Sequence, residues 1–118
     1  MTRRFWISSL LIALLSAVLC VAGVSNGAKA VTSAGTAEAL SATSIPVVEV
    51  VIQAELDNTG NVYVGGSTVS STSGVELEPG ASLTFGNIQK NEWFNLNEIY
   101  IDAATSSDGV KFTYTTKN

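Results

Sequence analysis

The side chains that carry most enzyme chemistry are scarce in this chain. Its 118 residues include no histidine and one cysteine, Cys20. Without histidine there is no imidazole general base and no Ser–His or Cys–His nucleophile pair. Zinc sites lose their usual nitrogen and sulfur donors for the same reason. A Ser–Lys pair survives on composition, but no Ser-x-x-Lys motif occurs. Glu76 and Glu78 lie two apart, on one face of a β-prone run. A glycosidase needs such a pair in a cleft with sugar platforms; a short chain has little room for one, so both read as solvated acids. Asp57-Asn58-Thr59-Gly60-Asn61 and the segment from Asp102 to Asp108 are rich in oxygen ligands. Neither follows the twelve-residue calcium loop, and turn chemistry accounts for both. The expectation is no enzyme, no cofactor and no metal.

Binding is the chemistry left. Trp93 and Phe94 are adjacent aromatics in the irregular segment from Gly86 to Asn95. Such a pair anchors a partner surface or stacks on a sugar. The competing reading makes them a plug for an open end of the core. Tyr63 and Tyr100 fall out of phase with the inward residues of their strands, which suggests an aromatic outer face. Trp93, Phe94, Tyr63 and Tyr100 are the candidate partner-binding residues.

The elements that hold these residues are short strands. From Val47 to Leu56 the chain alternates, with Val48, Val50, Ile52, Ala54 and Leu56 on one face and Glu49, Gln53 and Glu55 on the other. A period of two marks a half-buried strand. The cluster Asp57 to Asn61 then predicts a turn, with Val62-Tyr63-Val64 returning as hairpin partner. Val75–Leu77, Ser82–Phe85 and Ile99–Ile101 read as further strands, with Leu83 and Phe85 inward. Pro79-Gly80 suits the centre of a type II turn. Asp108-Gly109 is a hairpin signal, followed by a last strand with Val110, Phe112 and Tyr114 on one face. Seven or eight short strands with frequent turns predict an all-β fold: a small antiparallel β-sandwich, jelly-roll-like or Ig-like, with almost no helix after Ala30.

The first residues read differently. Arg3 and Arg4 precede an apolar run from Phe5 to Val24, and Ala28-Lys29-Ala30 follows as an A-x-A pattern. This predicts a secretory signal cut after Ala30. The rival is a retained membrane anchor, since about 20 apolar residues span a bilayer. Cys20 as a lipidation site is disfavoured by the bulky Leu19 before it. Either way the later residues are exported. The predicted organisation is an apolar helix or signal segment over 1–30, a flexible leader with a first strand over 31–46, and the sandwich over 47–118. Beyond Ala30, three lysines face ten carboxylates. Phosphate backbones repel such a domain, so nucleic acid is not an expected partner.

The order of these pieces resembles a group of small virion proteins of tailed bacteriophages. The corresponding segments are Ala34–Leu40 (Ala-Gly-Thr-x-x-x-Leu), Asn58–Gly65 (Asn-Thr-Gly-x-x-Tyr-Val-Gly), Gly74–Gly80 (Gly-x-x-Leu-x-Pro-Gly) and Leu96–Asp102 (Leu-Asn-x-Ile-Tyr-Ile-Asp). The resemblance spans nearly all of residues 34–116. It implies a compact decoration or accessory domain on a virus particle, and it carries over no catalytic residue. Two features depart from it: the similar proteins usually lack an export signal, and the segment from Gln89 to Asn95 is longer here. The expectation is a non-enzymatic structural or accessory protein on a virion or outer surface, assembling with other virion or surface proteins or with itself. Membrane contact would run through residues 5–24. The alternative is a secreted or membrane-anchored module for carbohydrate binding or adhesion.

Overall fold

In the computed structural model, which describes residues 23–90 and 92–117, two antiparallel sheets share one core. The strands are β1 (Val24–Ala30), β2 (Glu38–Ala39), β3 (Pro46–Ala54), β4 (Val62–Gly65), β5 (Val75–Leu77), β6 (Ser82–Gly86), β7 (Phe94–Asn95), β8 (Tyr100–Ala103) and β9 (Gly109–Thr116). The larger sheet has the order β1-β9-β3-β6, with β7 also pairing β3. The smaller has the order β2-β8-β4-β5. Single turns of 3-10 helix at Ile88–Lys90 and Leu96–Glu98 are the helical elements among the described residues. No helix there is long and apolar enough to cross a membrane.

The alternation of β3 and β9 sets the core. Ile52 faces Phe112 and Ala54 faces Val110 across the ladder, all buried. The smaller sheet answers with Val62 opposite Ala103 and Val64 opposite Ile101. The register shifts between Val47 and Glu49, a bulge that lets consecutive Val47 and Val48 both be buried. Leu83 and Phe85 are half-buried against this core.

Three expectations change. Leu56 lies beyond the end of β3 and is 74% exposed, because the strand stops at Ala54 before the alternation does. Val62–Val64 is not the hairpin partner of β3; the chain crosses to the other sheet, where β4 pairs β8 and β5. Likewise Asp108-Gly109 does not make a hairpin: β8 and β9 belong to different sheets, and Ser107 takes the positive φ of 76°. The turn at Pro79-Gly80 forms as expected. Ala81 N–H donates to Glu78 C=O at 2.9 Å, and Gly80 has φ 87°.

The amino-terminal boundary also differs. Residues 24–30, expected before the domain, form β1 and pair β9 along seven positions. In register, Gly27 faces Phe112 and Lys29 faces Val110. The apolar residues up to Ala22, Cys20 included, lie outside the described residues. Val31 is buried, its N–H donates to Asp108 C=O, and Ser107 N–H donates to its C=O, so the chain just after Ala30 is tied to the loop before β9. Glu38 on edge strand β2 reaches Lys29 on edge strand β1 at 3.2 Å, a contact that joins the two sheets along one side. Thr32 N–H donates to the same carboxylate, and with Lys29 holds its pKa below the usual glutamate range, despite desolvation.

Candidate functional site

The four aromatic candidates do not share one surface. Phe94 pairs with Val47 in β7 and packs half-buried against the core, so it serves as the plug. Its neighbour Trp93 is 50% exposed. The Lys117 ammonium lies over the Trp93 ring, 4.9 Å from its centroid. Lys117 is placed there by its backbone N–H, which donates to Pro46 C=O at 2.9 Å.

Tyr63 and Tyr100 stand on the outward side of the smaller sheet, as their phase predicted. Tyr63 faces Asp102 and Glu76; Tyr100 faces Gly65 and Ala39. That side is not open at Tyr63, which is only 8% exposed. The loop after β4 folds back onto this side at Gly65: the Val69 side chain lies 3.2 Å from where a Cβ at Gly65 would stand, and Val69 is itself buried. On the other flank the Asp102 carboxylate, also buried, accepts from Gly35 N–H at 2.9 Å and from Ala103 N–H at 2.8 Å. These contacts pin the 32–36 loop across the same face. Tyr63 is thus enclosed, and Tyr100 is half-buried.

The two oxygen-rich loops bind each other. The Asp108 carboxylate accepts from Thr59 N–H at 3.0 Å and Gly60 N–H at 2.8 Å. Glu76 accepts from the Asn61 amide at 2.8 Å, an exposed contact. No cluster of three metal-ligating side chains occurs among the described residues.

An open concavity of about 520 Å³ lies on the outward side of the larger sheet. Asn26, Gly27 and Ala28 from β1, Val51 and Gln53 from β3, and Lys111, Phe112 and Thr113 from β9 line it. All but Gly27 and the buried Phe112 are outward positions of three neighbouring strands. Gln53 Nε2 donates to Gly80 C=O at 3.1 Å, which ties one wall of the concavity to the Pro79-Gly80 turn. Among the described residues the ion pair is Lys29–Glu38, so Lys111 brings an unpaired cation to this face. Its other outward groups are the Asn26 and Gln53 amides, the Thr113 hydroxyl, Ala28 and the exposed Val51. The set can hydrogen-bond and can accept a carboxylate, and it offers Val51 as an apolar floor. The alternation of β3 and β9 made Gln53, Lys111 and Thr113 legible as outward residues. Asn26 and Ala28 are missed because residues 24–30 read as the end of the signal segment rather than as a strand. No family model, curated protein or solved structure matches the chain.

Proposed function

We propose that this chain is a non-enzymatic structural domain displayed on a virion or outer surface, held there through its apolar amino-terminal run, and assembling through protein–protein contacts on the concave side of the larger sheet. The observation that carries this reading is the strand order. Sheets ordered β1-β9-β3-β6 and β2-β8-β4-β5 are read here as an eight-stranded jelly roll, with β7 as a short addition. Viral capsid domains and lectins use that architecture. The resemblance to small phage virion proteins supports the first of these. β1 is an integral strand in this arrangement, which supports keeping residues 23–30 with the domain.

The lectin-like alternative has the same architecture in its favour. The concavity separates the two. Its outward side chains are Asn26, Ala28, Val51, Gln53, Lys111 and Thr113, and Trp93 stands apart from them near Lys117. A sugar site on a sheet draws much of its affinity from an exposed aromatic platform, whereas a hydrogen-bonding rim around an aliphatic floor suits a protein surface. Cross-linking through Lys111 on particles or surface complexes from the native source tests the proposal. The expected result is a linked protein component that is lost in Val51→Asp. A glycan that raises Tm, with no protein linked at Lys111, overturns it.

A further inference from the structure

The exposed apolar residues near Gly23 stand where the chain leaves the sheet. Gly23 C=O accepts from Thr116 N–H at 2.9 Å, and Gly23 N–H donates to Thr116 Oγ1 at 2.9 Å. Gly23, near the end of the apolar run, is therefore fixed to the end of β9. Thr116 pairs with Val47, and Val47 with Phe94. Three strand spacings place the Trp93 segment about 14 Å from Gly23. At this end Val24 is 73% exposed and Ile88 55% exposed, beside the half-exposed Trp93. Val24 shares the outward row of Thr115 and Glu49, and Ile88 N–H donates to Glu49 at 3.3 Å. The three therefore lie towards the outward side of the larger sheet.

Charge divides along the same axis. Near this end Lys90 and Lys117 almost balance Glu49, Glu92 and Glu98; elsewhere Lys29 and Lys111 face seven carboxylates. An anionic body is repelled by a surface of anionic lipid, while tryptophan with flanking lysines is the composition of a membrane interface. Lysine stems lie along apolar surface and carry the charge to the headgroups.

We infer that this end of the domain rests on a lipid bilayer, with Trp93 seated at the headgroup level and Val24 and Ile88 beside it. The inference depends on the membrane-held form of the reading above. The Lys117 ammonium covers one face of the indole and turns towards the headgroups. The domain leans with its outward sheet face tilted to the membrane, and the opposite end, with Asp57, Asp108 and the Pro79-Gly80 turn, points away.

The full chain reconstituted into phosphatidylcholine vesicles tests this. In a Trp6→Phe background Trp93 is the sole tryptophan. Its emission is expected to shift to the blue on reconstitution, to be quenched by lipids brominated near the headgroup, and to lose most of its quenching by acrylamide. Trp93→Ala in the same background serves as the emission blank and is expected to float with the vesicles as before. If the chain floats but Trp93 stays fully open to acrylamide, the contact is overturned and the anchor stands. If the chain does not float, or intact mass shows residues 1–22 removed from the native protein, the anchor and the contact fall together. Protection of Trp93 only when particle proteins are added overturns the lipid contact in favour of a protein one.

Discussion

Asn58 and Gly109 exchange two hydrogen bonds: the Asn58 amide donates to Gly109 C=O at 2.8 Å, and its oxygen accepts from Gly109 N–H at 3.0 Å. The side chain stands in for a strand neighbour and locks the β3–β4 crossing to the start of β9. Asn58→Asp removes the donor and sets a carboxylate beside Asp108, which is itself committed to Thr59 and Gly60. A loss of about 1–3 kcal/mol is expected in urea unfolding, partly recovered when the new carboxyl is protonated.

Gly27 is required by packing. A Cβ there would sit 2.7 Å from the Phe112 ring, and that ring is held by stacking with Tyr114 at 6.0 Å between centroids. Gly27→Val should cost about 1–3 kcal/mol as overpacking, while Ala28→Val on the outward side should cost far less. In a double-mutant cycle Phe112→Leu should recover part of the loss; independent, additive effects would show that the ring is not the obstacle.

Ile52 and Leu56 test the register of β3. Ile52 is fully buried and Leu56 lies past the strand end. Ile52→Ala should destabilise by about 2–5 kcal/mol. Leu56→Ala should stay within about 0.5 kcal/mol. Equal costs would place the end of the strand later than Ala54.

Glu38 gives the domain an acid-sensitive seam. Its pKa is lowered chiefly by the Thr32 N–H, with Lys29 adding to the effect. A group whose folded pKa is depressed contributes stability above its unfolded pKa and loses it as pH falls through the folded value. Denaturation across a pH series should therefore show a decline that begins in the ordinary glutamate range and continues below it. Glu38→Gln should flatten that part of the curve, and Lys29→Met should flatten it less. The carboxylate is partly exposed, so solvent screening keeps the effect modest.

Trp93→Ala should leave the isolated domain folded, with a loss of no more than about 1 kcal/mol, the scale of an exposed cation–π contact. A loss of about 3–5 kcal/mol would make the indole a core residue.

The strands with clear alternation were legible: β3 and β9 place their inward and outward residues where the period of two put them. β1 was not. Its inward positions are Ser25, Gly27 and Lys29, which show no apolar alternation. An edge strand held by ladder hydrogen bonds, by room for a neighbour's ring and by an ion pair leaves little hydrophobic trace in its own residues. The two sheet crossings misread as hairpins fail for a related reason. The bonds that fix them join Asn58 to Gly109 and Asp108 to Gly60, about fifty positions apart. No local turn signal carries that information. At the site, phase put Tyr63 on the correct side of its strand, but not its burial there, because the loop that returns onto that side at Gly65 has no regular pattern.

The pairing of β1 with β9 also decides how the domain carries load. Gly23 lies at one end of a seven-residue antiparallel pair, with Ala30 and Gly109 at the other. The ladder bonds run perpendicular to the strands. When a partner pulls on the far end while the chain is held at Gly23, force runs along β1 and strains all of those bonds together. A pull on Lys117, which leaves the sheet at the same end as Gly23, opens the pair one residue at a time. The domain is therefore mechanically directional: firm against tension between its tip and its amino terminus, and easily peeled by its own carboxyl end.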